Sequence, residues 1–303
     1  MDEPTVVAVD VGGTSVKAAL VGADLEPLRA ERRPSTREGG AVAVGPIAEL
    51  IRELADGQDT AGVGVVVPGI VDDTAGVVRD AVNLGWRELP LRERLAAATG
   101  LPVRIGHDVR AGGLAEFTVG AAAGLDNALF LAIGTGIAAA AMVDGRMLAA
   151  GGYAGEVGHV VVDPGGEVCG CGATGCLETL AAAPALVRRY TSLTGVTRTA
   201  ADIAARLSGD PAAARVWSDL TEALAIALHT ATSLFGPERI VLGGGLSEAG
   251  DALVGPVAEA LRGRLTFHRG PEVVRARLGQ DAGRVGAALL AWAATGERGV
   301  GQG

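Results

Sequence analysis

One local pattern occurs twice, about half a chain apart, and it constrains the fold more than any other feature. Residues 5–10 form an apolar run that reads as a strand, and Val11, Gly12, Gly13 and Thr14 turn the chain. Residues 15–21 read as a second strand, Gly22, Ala23 and Asp24 turn the chain again, and residues 25–32 read as a third. The opening recurs at 127–133: an apolar strand, the turn Gly134-Thr135-Gly136, and a second strand over 137–143. The hairpin turn Asp144-Gly145 and a third strand starting at 146–149 complete the repeat. A strand–glycine turn–strand–turn–strand unit found twice implies two α/β domains of like fold. Helical periodicity covers 42–55, 91–99, 110–117, 219–235, 251–264 and 284–294. Buried strands are expected at 62–67, ending at Pro68-Gly69, at 103–106, and at 239–242, ending at Gly243-Gly244-Gly245.

The chain is large enough for this: 303 residues, 49% hydrophobic. Only 3% are aromatic, so the core has to be built from Ala, Val, Leu and Ile. A net charge of −9 without a basic run argues against nucleic acid or anionic lipid as a partner. The apolar stretch 128–143 is short and is interrupted by Gly134, Thr135 and Gly136, so no membrane span is expected. No basic n-region or long apolar h-region opens the chain, and the expected compartment is the cytoplasm.

Several places carry chemistry. Asp10 ends a strand and is followed by Gly12, Gly13 and Thr14. Glycines let backbone N–H groups approach phosphate oxygens, the Thr hydroxyl adds a donor, and the carboxylate can hold Mg²⁺ beside them. No Gly-Lys-Ser/Thr follows, which excludes a Walker loop, and a strand rather than a helix follows, which excludes a dinucleotide fingerprint. The second turn, Gly134, Thr135 and Gly136, is suited to grip the same polyphosphate, and Gly243-Gly244-Gly245 gives a close-approach site for the nucleoside end. His159, Cys169, Cys171 and Cys176 bring four soft ligands into eighteen residues. An odd number of tightly spaced cysteines points to a structural zinc site rather than a disulfide framework. Asp108, at a strand end beside His107, suits a carboxylate that accepts a hydroxyl proton. Taken alone it would read as a turn or a helix cap. Asn83, Glu156 and Glu178 are polar residues in Gly-rich or apolar surroundings and are candidates to bind sugar hydroxyls.

These segments resemble the ROK family of repressors and sugar kinases, from Val6 to about Ala294. The resemblance rests on Asp10-Val11-Gly12-Gly13-Thr14, Pro68-Gly69-Ile70-Val71-Asp72, Asn83-Leu84-Gly85-Trp86, His107-Asp108 and Gly134-Thr135-Gly136. Its most specific part is Gly155-Glu156-Val157-Gly158-His159, followed by the run from Cys169 through Cys171 and Cys176 to Glu178. It implies the actin-like ATPase (ribonuclease H-like) fold, with two duplicated α/β domains and an interdomain cleft. The expected division is 1–118 and 119–283, with a C-terminal helix 284–296 packing back on the first domain. It implies ATP and Mg²⁺ near Asp10, Gly12, Gly13, Thr14, Gly134, Thr135 and Gly136, and the adenosine near Gly244 and Gly245. It implies a hexose held by Asn83, His107, Asp108, Glu156, His159 and Glu178, with Asp108 as the base. His159 would ligate a structural Zn²⁺ through one ring nitrogen and face the sugar with the other. The family also suggests a homodimer or homotetramer.

Two departures stand out. His107 occupies a position that is usually Asn, which bears on the choice of sugar, and Ala138, Ala139 and Ala140 follow the second glycine loop where more glycines are usual. The expected activity is an ATP-dependent hexose kinase acting on the 6-hydroxyl of glucose, with N-acetylglucosamine as the alternative. A sugar-responsive repressor is the rival from another class, and the few residues before the first strand leave no room for its winged helix. A zinc-stabilised binding protein without turnover would require a lost base, whereas Asp108 is present.

Overall fold

In the computed structural model, which describes residues 3–294, the chain divides into two compact units. The first runs through Thr118 and also contains Ala149–Ala154 and, among the described residues, 281–294. The second comprises Val119–Leu148 and Gly155–Gln280.

Unit 1 opens with β1 (Thr5–Val11), β2 (Ser15–Val21) and β3 (Pro27–Pro34), followed by a small hairpin of β4 (Arg37–Glu38) and β5 (Ala41–Val42) and by α1 (Val44–Ala55). Next come β6 (Thr60–Val67), β7 (Ile70–Asp72), β8 (Val77–Ala81), β9 (Trp86–Leu89), α2 (Leu91–Thr99), β10 (Val103–His107) and α3 (Asp108–Thr118). The main sheet has the order β3-β2-β1-β6-β10. β1 is antiparallel to β2 and parallel to β6, and β6 is parallel to β10. Side chains alternate across a strand, so β1 feeds two separate cores. Val7, Val9 and Val11 pack with Ile47, Ile51 and Leu54 of α1, while Val6 and Ala8 face the opposite side. β7, β8 and β9 form a small antiparallel sheet that the sequence reading did not resolve, because strands of three to five residues show little periodicity.

Unit 2 repeats the arrangement. It contains β11 (Ala128–Ile133), β12 (Ile137–Val143), β13 (Arg146–Met147), α4 (Glu178–Ala181), α5 (Ala183–Thr194), α6 (Ala200–Ala204) and α7 (Pro211–Phe235). β14 (Arg239–Gly243), α8 (Asp251–Arg262) and β15 (Glu272–Arg275) complete it. Its sheet order, β13-β12-β11-β14-β15, is the order of unit 1, with the same antiparallel and parallel pairings. The duplication read from the two glycine turns is therefore a duplication of topology. α7 starts eight residues before its expected start: Asp210 caps it by accepting from the N–H groups of Ala212 and Ala213, and Pro211 occupies the first turn.

The last helix, α9 (Ala282–Ala294), lies in unit 1 and covers the second face of its sheet, where Ala287, Ala288 and Ala291 pack with Val6, Ala8, Val66 and Ala111. Residues 295–296 of the expected helix lie outside the described residues. The approach is close: a side chain at Gly64 of β6 would collide with the Ala287 carbonyl. An aromatic-poor core makes this possible, because small residues on both surfaces replace bulk with proximity. Among the described residues no helix is long and apolar enough to cross a membrane.

Candidate active site

In unit 1 the carbonyls of the turn after β1 are taken up by protein donors. Gly12 O accepts from the Ser35 hydroxyl at 2.6 Å and Thr14 O from Ser35 N at 3.0 Å. Arg37 Nη2 donates to Asn83 O at 2.7 Å and to Gly13 O at 3.4 Å. The turn's carbonyls are thus held back by protein donors. The N–H groups of Gly13 and Thr14 make no hydrogen bond among the described residues, and Thr14 is exposed. Adjacent N–H groups without partners next to sequestered carbonyls form a concavity for an anion. Gly13 is required by space: a Cβ there would come within 2.9 Å of Asn83 O. Arg37 is a residue the sequence reading missed, since nothing local marks an arginine whose partners lie 24 and 46 positions away.

Asp10 stands opposite Lys17 in the β1–β2 register, with Oδ2 3.6 Å from Nζ. Burial raises the Asp10 pKa, the Lys17 ammonium works against it, and the nearby Asp108 charge adds to it. The Asp10 carboxylate therefore stands where a cation would be welcome, which fits the Mg²⁺ expected beside the phosphates.

Asp108 is delivered by the junction of β10 and α3, and as the first residue of α3 its Oδ1 accepts from Val109 N at 2.7 Å. His107 Nε2 lies 3.3 Å from the same oxygen. His107 Nδ1 accepts from Arg110 N at 3.3 Å, which turns Nε2 toward the carboxylate. The Asp108 side chain keeps 37% of its surface open, yet protein crowds it on the remaining sides. That burial raises its pKa against the opposing pull of Val109 N–H and the Arg110 guanidinium. Arg110 is itself buried and donates to Val71 O at 2.7 Å and Gly152 O at 3.3 Å, fastening Ala149–Ala154 to unit 1. Asn83 is exposed on a 3₁₀ turn, Val82–Leu84, closed by Gly85 in a left-handed conformation.

Unit 2 repeats the turn design. Gly134 N donates to Gly136 O and Ala183 N to Gly134 O, each at 2.9 Å. The N–H groups of Thr135 and Gly136 make no hydrogen bond among the described residues, and both residues are exposed. Ala138, Ala139 and Ala140 belong to β12 and lie beyond the turn. Gly244, at φ +77°, passes within 2.6 Å of Ile133 N measured from a hypothetical Cβ, so only glycine fits. Next to it opens a recess of about 740 Å³, lined by Gly134, Thr135, Ala204, Gly245 and Glu248 among others. Its far wall on α6 was not recognised in the sequence, because a five-residue helix gives no periodic signal.

The four soft ligands converge. Zinc bonds of about 2.3 Å to sulfur and 2.0–2.1 Å to nitrogen set tetrahedral separations of roughly 3.8 Å between sulfurs and 3.6 Å between sulfur and nitrogen. Cys171 Sγ and Cys176 Sγ are 3.7 Å apart, Cys169 Sγ and His159 Nδ1 are 3.6 Å apart, and all four ligand atoms lie within 4.8 Å of one another. The donor set fits zinc, with His159 turning Nδ1 toward the sulfurs. Burial, reinforced by the neighbouring thiols, pushes the Cys176 thiol up to about 12, and a bound dication would reverse that preference. Glu156 is exposed and leads into the 3₁₀ turn Val157–His159, where His159 N donates to Glu156 O. Glu178 opens α4, and its Oε2 accepts from Ile137 N at 3.0 Å.

The pattern of the ROK family matches residues 6–294. The chain belongs to the ROK family. Like other members it has the actin-like ATPase fold. A ROK hexokinase from Thermus thermophilus superposes with a TM-score of 0.84 at 35% identity, covering 97% of this chain and 100% of that one. A ROK family glucokinase from Streptomyces griseus, crystallised with glucose and AMPPNP, superposes with a TM-score of 0.82 at 30% identity, over 95% and 99%. The glucokinase of Halalkalibacterium halodurans is 34% identical over 96% of both chains.

Proposed function

We propose that this ROK protein is an ATP-dependent hexose kinase that transfers the γ-phosphoryl group to the 6-hydroxyl of glucose. The observation that carries the reading is the paired turn design. Each unit ends its first strand in a glycine turn whose adjacent N–H groups make no hydrogen bond among the described residues, at Gly13 and Thr14 and again at Thr135 and Gly136. Two such donors of fixed geometry suit a polyphosphate. Full-length similarity to proteins named glucokinase supports the hexose as acceptor.

The residues take the following roles. Gly12, Gly13, Thr14, Gly134, Thr135 and Gly136 hold the phosphates, and the recess beside Gly244 and Gly245 takes the adenosine. Asp10 would hold Mg²⁺, which supplies positive charge for the phosphate oxygens. Asn83, His107, Glu156, His159 and Glu178 orient the sugar. Asp108 accepts the proton of the 6-hydroxyl as its oxygen forms a bond to the γ-phosphorus and the bond to the β-phosphate oxygen breaks. Zinc, held by His159, Cys169, Cys171 and Cys176, would fix the histidine ring that faces the sugar. We place the protein in the cytoplasm, as a homodimer or homotetramer.

A coupled ADP-release assay tests this over glucose, N-acetylglucosamine, N-acetylmannosamine, mannose, fructose and allose. The expected result is ADP release that depends on sugar and is fastest with glucose. N-acetylglucosamine leading the panel would replace the substrate, and ADP release indifferent to every sugar would overturn the reading.

A further inference from the structure

The carboxylate of Glu178 touches two loops at once. Oε2 accepts from the N–H of Ile137, the residue directly after Gly134-Thr135-Gly136, at 3.0 Å. The same oxygen would lie 3.2 Å from a Cβ on Gly136 and 2.7 Å from a Cβ on Gly158, so it is packed against both backbones. Gly158 immediately precedes His159. Oε1 makes no hydrogen bond among the described residues.

The position of Glu178 is fixed from the zinc side. Cys176 and Leu177 are fully buried, Leu177 N donates to Val160 O at 2.9 Å, and Val161 bridges to Cys176. The ligand loop therefore fixes where α4 begins and where its first side chain points. From there one charge-assisted bond sets the exit of the glycine turn, and Ala183 N, past the end of the same short helix, sets its entrance through Gly134 O. The turn between these anchors carries the two N–H groups, of Thr135 and Gly136, that make no hydrogen bond among the described residues.

We propose that Glu178 is a positioning residue for the phosphate turn as well as a sugar ligand, and that its carboxylate couples the two. Oε2 holds the turn in its donor geometry, and Oε1 is the oxygen left for a sugar hydroxyl. A hydroxyl on Oε1 restrains the carboxylate, and a restrained carboxylate restrains Ile137 and the turn before it. Sugar then raises nucleotide affinity, and by linkage nucleotide raises sugar affinity by the same factor. This inference rests on the hexose-kinase reading above.

The test is equilibrium binding of AMPPNP to the zinc-loaded full chain, with and without glucose, in wild type and in Glu178→Gln, Glu178→Asp and Glu178→Ala. Gln keeps an acceptor of the same reach for Ile137 N. Asp keeps the charge but is one methylene short. The expected result is that Ala and Asp weaken AMPPNP binding about tenfold without any sugar present, the weight of one hydrogen bond to a charged group. Gln restores most of that loss. The glucose-dependent gain seen in wild type shrinks to a ratio near one in Ala and Asp. Zinc content and thermal melting identify any variant that has simply lost its fold, and for such a variant the Gln protein carries the comparison. AMPPNP affinity that is unchanged in all three variants, while sugar affinity falls, overturns the coupling and leaves Glu178 a sugar ligand alone. Wild-type protein that binds no AMPPNP overturns the kinase reading itself, which is a separate result.

Discussion

His107 Nε2 lies 3.3 Å from Asp108 Oδ1, and the ring is held in place by Arg110 N donating to Nδ1. His107 is thus a neighbour of the proposed base, Asp108, and its side chain is only 10% exposed. The ring packs beside the carboxylate and limits where it can swing. His107→Asn keeps a polar side chain at this position. An amide reaches less far, so the carboxylate loses part of its support. We expect kcat to fall several-fold, with the ratio of kcat/KM between glucose and N-acetylglucosamine moving less than kcat. A ratio that shifts by more than about tenfold at constant kcat would make His107 a selector of sugar instead.

Asp108→Asn keeps the size of the side chain but cannot take a proton. A positioned base contributes roughly a hundred- to ten-thousand-fold. We expect kcat to drop by that factor, with the KM values for sugar and ATP changed much less, as for an interaction made in the transition state. A variant that keeps most of its kcat would show that another group takes the proton.

The same carboxyl sets a pH dependence. Burial raises the Asp108 pKa above the usual 3.8, so the reactive, ionised form is reached only at a higher pH than for an ordinary aspartate. Activity should climb with pH through that raised pKa, and the Asn variant should lack this acid limb. Stability carries the opposite sign. Below the unfolded value the carboxyl is protonated in both states and costs nothing. Above the folded value it is ionised in both, and the folded state bears the cost of burial. The Asn variant should therefore melt slightly above wild type at pH 7 and together with it near pH 3, as scanning calorimetry would show.

Removing zinc should affect both substrates. Cys171→Ala, or chelation of the wild type, should release about one metal ion per chain, measured by elemental analysis. We expect the sugar KM to rise because His159 loses its anchor, and the ATP KM to rise because the loop that positions Glu178 slackens. Fully active protein without zinc would contradict both expectations.

The sequence was most legible where residue type alone carries the chemistry. Four soft ligands within eighteen residues mark a cluster whose ligand atoms the fold gathers within 4.8 Å, and Asp10 ahead of Gly12 and Gly13 marks a turn whose N–H groups at Gly13 and Thr14 make no hydrogen bond among the described residues. The repeated turn also pointed to two units of like fold, and the two sheets share one strand order. Relations made by tertiary structure were not legible. In a strand His107 and Asp108 would point to opposite faces, and only the strand-to-helix junction brings them onto each other. The side chains that pin the turns, Arg37 and Glu178, reach partners 24 to 46 positions away. Glu178 could be named as a polar residue in apolar surroundings, but its bond to Ile137 N could not. The start of α7 was legible and went unread, because Asp210 followed by Pro211 is a helix-start signal.

Arg110 offers the most direct way to separate positioning from charge. It is buried, spans Val71 O and Gly152 O, and stands two residues past Asp108, whose pKa it lowers against the dominant effect of burial. Arg110→Met retains bulk but strands two buried carbonyls, at about 1–3 kcal/mol for each unsatisfied group. It also removes the cation, so the Asp108 pKa should rise further and the acid limb of kcat should move to higher pH. Arg110→Lys keeps a cation but cannot span two carbonyls with a planar fork. It should melt below wild type while its acid limb stays nearer the wild-type position. Both variants sharing the wild-type acid limb would mean that Arg110 only staples the loops. A Met variant that melts with the wild type would mean that the two carbonyls find other donors, and the staple would then be redundant.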